Sequence, residues 1–340
     1  MNKPFSLVST VFNEINRLDQ TIAEISSQTL QPAEIIVTDA GSTDGTYELL
    51  LRWQATSKVP IVVLQKHRCN VAEGRNMAIK AAKHELIAST DFGCRFEPDW
   101  LENLMAPFAE ADTKIVAGAF TVQEHEINTL AGKADYILAN GYPVDLGQYF
   151  VPSSRSIAYY REVWEKVGGY PEWLTLTADD STFALVVVKE GYTFKFAHKP
   201  CVYWGRHKTF LGFQKEFLRY GLGEGEAHCN LRNFFSNLVE TSCRYTLPIS
   251  IILAVISLLP LWLLAPVMLV QLFGLRSYKN AFKNWLNVKS DKYDFGAFLA
   301  ALYMVEQSRF YHMKGYIRGY WFSNELRTRE GIKLQERLNK

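Results

Sequence analysis

Short apolar runs rich in β-branched residues alternate with amphipathic stretches along the first hundred residues. Strands separated by helical patterns are typical of βαβ units and predict a mostly parallel sheet flanked by helices, an α/β fold. The predicted strands are residues 5–9, 35–38, 61–64 and 86–89, and the predicted helices are about 17–29, 45–54 and 72–83. After Trp100 the pattern loosens, with further strand candidates at 115–120 and 193–196.

Residues 247–274 form a stretch of 28 residues without one ionisable side chain. As one straight helix it would extend about 42 Å, enough to cross a hydrocarbon core of about 30 Å. Pro260 lies near its middle and removes a backbone donor, which favours two short helices in a re-entrant or interfacial hairpin. A buried core helix is the alternative.

The amino-acid composition is that of a globular protein, and the length allows a further segment beyond one catalytic domain. Apolar residues make up 48% and charged residues 21% of 340 residues, which excludes a disordered chain and a polytopic transporter. We expect a catalytic domain at 1–240, a membrane-associated hairpin or span at 241–275 and a basic amphipathic helical tail at 276–340.

Charge is distributed unevenly along the chain. Residues 276–340 carry 13 Lys and Arg against 6 Asp and Glu, or +7, which leaves −5 of the total +2 for the rest. Lys and Arg near membrane segments tend to stay cytoplasmic, so this tail argues against a single crossing. Anionic membrane lipids are the expected partner of the tail, and no nucleic-acid motif is present.

Cysteine usage and the N-terminus both favour the cytosol. The five cysteines are odd in number and form no C-x-x-C pair, so reduced thiols are the simpler interpretation. The chain starts directly with a strand pattern, and we expect no secretory signal.

Polar side chains follow the first two predicted strands. The first block, VSTVFNE, carries Thr10, Asn13 and Glu14, and the second, EIIVTDAGSTDGT, carries Asp39 where its strand ends. Open α/β sheets bind ligands at the carboxyl ends of their strands, so Asp39 is a candidate binding residue. Asp44 is more simply interpreted as a cap of the next helix.

Two further sequence blocks follow the first two along the chain. The segment NVAEGRN contains Arg75 and precedes a strand that ends in Asp91, while GGYPE precedes the pair Asp179 and Asp180. The four blocks together resemble family 2 inverting glycosyltransferases of the GT-A fold, over roughly residues 4–225. The resemblance implies a nucleotide-sugar donor bound by residues of the first three blocks: Thr10, Asn13, Glu14, Asp39, Arg75 and Asp91.

The metal motif of that family is incomplete here. Its D-x-D pair normally holds Mg²⁺ or Mn²⁺ against the donor diphosphate, but Gly93 replaces the second carboxylate. Asp91 is therefore expected either to bind the metal with waters or to bind the ribose while arginines offset the diphosphate charge. Arg206 and Arg219 are the arginines expected to do so. His207 is a metal ligand or, more simply, a surface residue.

Asp180 matches the general base of the family, which takes the proton of the acceptor hydroxyl in an inverting transfer. Helix capping by Asp179 and Asp180 is the alternative. The expected acceptor is a lipid-linked molecule or a polysaccharide at the cytoplasmic face of the cell membrane, in cell-surface glycan synthesis. A catalytically degenerate GT-A domain that binds nucleotide or lipid is the competing hypothesis, motivated by Gly93.

Overall fold

The computed structural model describes residues 3–144, 152–256, 261–288 and 290–340. Pro260, the predicted site of the bend, lies outside these residues. Eight strands are described there: β1 Phe5–Val11, β2 Glu34–Asp39, β3 Ile61–Gln65, β4 Leu86–Asp91, β5 Cys94–Phe96, β6 Ile115–Thr121, β7 Ile157–Tyr160 and β8 Lys195–Trp204.

The described strands form one sheet in the order β3-β2-β1-β4-β7-β6-β8-β5. The first four are mutually parallel, with Thr10 of β1 beside Asp91 of β4 and Val11 beside Asp39 of β2. β7 then runs antiparallel to both β4 and β6. Parallel strands end at the same edge of a sheet, so this register gathers the polar residues that follow β1, β2 and β4.

Thirteen α-helices accompany the sheet within the described ranges. They are α1 Ile15–Ser26, α2 Thr46–Thr56, α3 Val71–Ala81, α4 Trp100–Met105, α5 Leu130–Leu138, α6 Arg161–Val167, α7 Asp179–Lys189, α8 Phe210–Glu226, α9 Leu231–Val255, α10 Leu261–Gln271, α11 Arg276–Val288, α12 Phe295–Trp321 and α13 Glu325–Asn339. Strand residues such as Leu7 and Val37 are fully buried together with Leu18 of α1 and Leu50 of α2. The predicted α/β class is confirmed.

The chain divides into two compact units. One contains residues 1–123, 144–205 and 336–340 and includes the whole described sheet, while the other contains 124–143 and 206–335. In the second unit α8 and α12 approach closely through glycines. A β-carbon at Gly221 would lie 2.0 Å from the carbonyl oxygen of His312, and one at Gly315 would lie 2.1 Å from that of Leu218. No larger residue fits at these crossings.

The apolar stretch returns on itself within the second unit. Arg244 of α9 donates to the carbonyl oxygen of Gly274 over 2.7 Å, and Gln271 of α10 donates to the hydroxyl of Thr246 over 3.0 Å. From the first contact to the second, the residue number rises from 244 to 246 on one side and falls from 274 to 271 on the other. The two segments therefore run antiparallel. Residues 244 and 274 therefore lie side by side at the same end of a helical hairpin.

Large apolar side chains on this hairpin are solvent-exposed. Ile252 is 58% exposed, Val255 76%, Trp262 73% and Leu269 69%. In the part of the chain that is described, α9 is the helix long and apolar enough, over its most apolar window of 18 residues, to cross a membrane. Only 22% of that window is buried inside the protein.

Candidate active site

The loops that follow β1 and β2 are tied together by the polar residues singled out in the sequence. The backbone N–H of Asn13 donates to the Ser42 hydroxyl, and the Asn13 side-chain oxygen accepts from the N–H of Thr43, both over 2.9 Å. Glu14 donates its backbone N–H to the Thr46 hydroxyl. Asn13 has a φ of 54°, a left-handed conformation that asparagine tolerates better than most residues.

Asp39 is completely buried at the end of β2. Its carboxylate accepts hydrogen bonds from the N–H groups of Gly41 and Ser42 and from the side chain of Gln65. In this structure Asp39 shapes the loop that follows its own strand. Its contact with a nucleotide stays a prediction.

Asp44 lies at the start of α2 and connects it to α1. Its carboxylate accepts from the N–H of Thr46 over 3.1 Å and from that of Ile15 over 3.2 Å. Asp44 thus accepts from the first backbone N–H of α1 and of α2, although the residue at the N-cap position of α2 is Gly45.

Arg75 of α3 links the two parts of the chain that carry the candidate carboxylates. Its guanidinium donates to Asp91 over 2.9 Å and to Asp179 over 2.6 Å, and its side chain is only 2% exposed. The guanidinium carbon also lies 4.8 Å from the centre of the Tyr170 ring. Arg75 is thus a buried cation that holds the end of β4 against the start of α7, and its contact with a donor remains a prediction.

Three carboxylates, those of Asp91, Asp179 and Asp180, lie around the single positive charge of Arg75. Burial, together with the nearby carboxylates of Asp180 and Asp91, raises the pKa of Asp179 to about 6, although Arg75 acts in the opposite direction. Arg75 Nε is buried and without a hydrogen-bond partner among the described residues. The cluster therefore takes up a proton more readily than a lone surface carboxylate does.

Asp180 lies beside this cluster in the first turn of α7, and it is only partly buried. One carboxylate oxygen accepts from the Ser153 hydroxyl and the other from the N–H of Ser181, each over 2.9 Å. Ala178, the residue before α7, is left-handed with a φ of 69°. These contacts fix the orientation of the carboxylate while leaving it partly open to solvent.

Arg155 is a cation at this site that the sequence analysis did not identify. Its side chain donates to Ser153 over 3.0 Å, and its Nε lies 4.0 Å from Asp91 Oδ2. The guanidinium carbon stacks 4.1 Å from the centre of the Trp204 ring. Arg155 precedes β7 in an irregular segment without periodicity, so nothing local in the sequence marks it.

The donor set near Asp91 suits a divalent cation that keeps several waters. Among the described residues no group of three or more His, Cys, Asp or Glu side chains is placed to hold a metal ion. Mg²⁺ commonly needs only one or two carboxylates besides phosphate oxygens and water. Asp91 supplies one carboxylate, and that of Glu14 lies against Gly93, with Oε1 3.4 Å from where a β-carbon at Gly93 would stand.

Glu14 is partly buried. Burial raises its pKa, and Asp44 adds to the rise, while Arg17 acts in the opposite direction. The carboxylate of Glu14 makes no hydrogen bond or ion pair with any residue in the described ranges. It is a carboxylate without a protein partner at the edge where the parallel strands end.

Arg206 and Arg219 lie in the second unit. Arg206 forms two forked ion pairs, with Asp135 of α5 and Glu216 of α8, at distances of 2.9 to 3.0 Å, and its side chain is 5% exposed. Arg219 is exposed on α8. His207 is 44% exposed, with Nε2 4.0 Å from Glu216. A phosphate contact of either arginine stays a prediction.

The sheet, with carboxylates at the ends of β2 and β4 and at the start of α7, defines a GT-A type glycosyltransferase. The family model for glycosyl transferase family 2 matches residues 6–168, and that for glycosyl transferase family group 2 matches residues 142–276. Together the two models extend over residues 6–276, and they confirm the resemblance to family 2 glycosyltransferases seen in the sequence.

Characterised relatives and a solved structure agree with this assignment. The O-antigen chain rhamnosyltransferase WbaN of Salmonella anatum is 27% identical over 64% of this chain and 70% of its own. The glycosyltransferase AglE of Haloferax volcanii is 23% identical over 65% of this chain and 73% of its own. The mannosyltransferase PcManGT of Pyrobaculum calidifontis, solved with GDP-Man and Mn²⁺, has a TM-score of 0.57 at 16% identity and covers 95% of this chain and 88% of its own.

Proposed function

We propose that this glycosyltransferase moves a sugar, with inversion, from a nucleoside diphosphate donor to a hydroxyl of a lipid-linked or polysaccharide acceptor. The observation that carries the proposal is the Arg75 bridge. It joins Asp91, at the end of a strand in the donor half, to Asp179, which is the immediate neighbour of Asp180. A donor-binding carboxylate and a candidate base are thereby held in one rigid arrangement.

Asp180 is the general base in this proposal. Its carboxylate takes the proton of the acceptor hydroxyl as the oxygen forms a bond to the anomeric carbon, and the bond from that carbon to the diphosphate oxygen breaks on the opposite face. The nucleoside diphosphate leaves with the bonding electrons. The hydrogen bond from Ser153 holds the carboxylate in place for this step.

Charge on the donor is balanced by groups near Asp91. Asp91 would hold Mg²⁺ or Mn²⁺, whose positive charge offsets that of the diphosphate. The mannosyltransferase of Pyrobaculum calidifontis was solved with GDP-Man and Mn²⁺, which supports the use of a divalent metal. Arg155, stacked on Trp204 and 4.0 Å from Asp91, adds a fixed cation in the same place.

The exposed hairpin of the second unit and the relatives support the proposed acceptor class. Two of the relatives are O-antigen chain rhamnosyltransferases of Salmonella, at 27% and 25% identity. The exposed side chains of α9 and α10, together with the basic residues of the tail, suit the cytoplasmic surface of an anionic membrane. Attachment there would hold the enzyme beside a lipid-linked acceptor.

A donor screen tests the proposal directly. Purified protein is incubated with UDP-, GDP- and dTDP-sugars, with and without Mn²⁺, and the release of nucleoside diphosphate is measured. We expect release from one nucleotide class, with loss of release in Asp180→Asn. Binding of a nucleotide without any release, in the presence of membrane extracts as acceptor, would favour the degenerate GT-A domain instead.

A further inference from the structure

We infer that Glu14 supplies the second carboxylate of the metal site, in the place of the one that Gly93 lacks. This inference rests on the proposed function, because it concerns the same donor site. In the family motif, the second metal-binding carboxylate lies two residues beyond Asp91. Here that role would belong to Glu14, in the loop after β1.

Gly93 is not required by the backbone. Its φ lies outside the left-handed region, where glycine would be favoured. A β-carbon at this position would meet only Glu14, at 3.4 Å from Oε1 and 3.8 Å from Cδ, which are ordinary contact distances. An aspartate would therefore fit sterically, but the space into which it would project is bordered by the carboxylate of Glu14.

The backbone of Glu14 is anchored on both sides. Its N–H donates to Thr46 over 2.9 Å at the start of α2. About two turns further along the chain, in α1, the Thr21 hydroxyl donates to the carbonyl oxygen of Phe92 over 3.2 Å, which ties α1 to the residue before Gly93. Thr10 and Asp91 are direct partners across β1 and β4. The two carboxylates thus come from neighbouring strands that end at the same edge of the sheet.

Glu14, just before α1, and Glu24 of α1 both approach the segment that follows β4, but they differ in their partners. Glu24 is used within the protein, where its carboxylate accepts from the Arg95 side chain and from the N–H of Phe96. The Glu14 carboxylate has no hydrogen-bonding partner among the described residues, although it is partly buried. A half-buried carboxylate without a protein partner is available to a ligand, and hard oxygen donors are what Mg²⁺ and Mn²⁺ prefer.

The test is direct measurement of Mn²⁺ binding. The free Mn²⁺ signal in electron paramagnetic resonance is titrated against full-length protein saturated with UDP, GDP or dTDP, whichever calorimetry shows the wild type to bind. The proteins are the wild type, Glu14→Gln, Gly93→Asp combined with Glu14→Gln, and Asp19→Asn. Asp19 is an exposed carboxylate on α1, the helix that Glu14 immediately precedes, and serves as the matched control.

We expect Glu14→Gln to weaken Mn²⁺ binding by about tenfold or more, the scale on which changes around metal sites usually fall. Restoring the missing aspartate in the double variant should return most of that affinity, and Asp19→Asn should bind as the wild type does. Wild-type Mn²⁺ affinity in Glu14→Gln, or a folded double variant no better than Glu14→Gln, would overturn the inference. Failure of the wild type to bind any of the three nucleotides would instead overturn the proposed function, and thermal melting identifies a variant that does not fold.

Discussion

Arg75 and Asp179 form a buried ion pair in which Nη1 lies 2.6 Å from Oδ2, and the same guanidinium reaches Asp91 over 2.9 Å. α3 and α7 are far apart in the chain, so this pair is a tertiary cross-link beneath the candidate active site. Removing one partner of a buried pair leaves an uncompensated charge, which destabilises strongly.

The stability of the protein should therefore depend on Arg75. We expect Arg75→Met to lower the free energy of unfolding by about 3 to 5 kcal/mol, measured by urea denaturation. Lys80→Met is the matched control on the same helix, because Lys80 is 64% exposed and 4.0 Å from Glu172. Equal stability of the two variants would contradict a structural role for Arg75.

The raised pKa of Asp179 gives the stability a specific pH dependence. With a folded pKa of about 6 against an ordinary value of 3.8, the folded state holds the proton more tightly between those values. Stability from this group is thus fully present at low pH and is lost as the pH rises through about 6. Relative to Asp179→Asn, the wild type should lose at most about 3 kcal/mol between pH 4 and pH 7, by proton linkage.

Urea denaturation of both proteins across that pH range measures this difference. The two proteins differ only at residue 179, so the subtraction reports on Asp179 together with its coupling to Asp180 and Asp91. A difference that is constant with pH, or that grows in favour of the wild type as the pH rises, would show that Arg75 dominates over burial.

Asp180 should be essential for turnover but not for donor binding. We expect Asp180→Asn to reduce turnover by about 10² to 10⁴, because loss of a general base removes a contribution of this size. Nucleotide affinity, measured by calorimetry, should change little. Glu172→Gln is a suitable control, since this carboxylate lies in the preceding segment and is 44% exposed. Near wild-type turnover in Asp180→Asn would exclude it as the base.

Arg206 should contribute more to folding than to donor binding. Its guanidinium is shared between Asp135 and Glu216, each only 9% exposed, so Arg206→Met would leave two buried carboxylates without this cation. We expect a loss of about 3 to 5 kcal/mol in unfolding free energy. The neighbouring exposed Lys208 provides the control variant Lys208→Met. Unchanged stability together with weaker nucleotide binding would support the diphosphate contact that the sequence predicts.

The hairpin of α9 and α10 should bind membranes through its exposed apolar side chains. Ile252→Glu is expected to weaken co-sedimentation with anionic phospholipid vesicles by about tenfold or more, since burying one such side chain is worth roughly 1.5 to 3 kcal/mol. Val188→Glu on α7 is the control, because Val188 is 59% exposed and Ile252 58%. Equal vesicle binding of the two variants would show that the hairpin does not mediate membrane binding.

The side of the membrane reached by the tail needs a separate measurement. A cysteine added after Lys340 should be labelled by an impermeant reagent only after cells are permeabilised, because the hairpin brings residue 274 back beside residue 244. Labelling in intact cells would mean that the chain crosses the membrane once.

Local patterns determined the first half of the sheet. β1 to β4 and the three helices between them lie within a few residues of their predicted positions, because each strand is an apolar run and each helix is an amphipathic stretch bounded by turn residues. The same patterns placed Asp39 and Asp91 at strand ends. Strands β5 and β7 were not predicted, since they have three and four residues and their pairing partners are distant in the chain.

Only the tertiary structure decided how the site is assembled. The sequence alone determined the family, the order of its motifs and the absence of an acidic residue at Gly93. It did not determine that Arg75 lies beneath Asp91 and Asp179, that Arg155 stacks on Trp204, or that Glu14 borders the space beside Gly93. These contacts join residues 16 to 104 positions apart, and the energy of such contacts depends on burial and distance, which local sequence patterns do not encode.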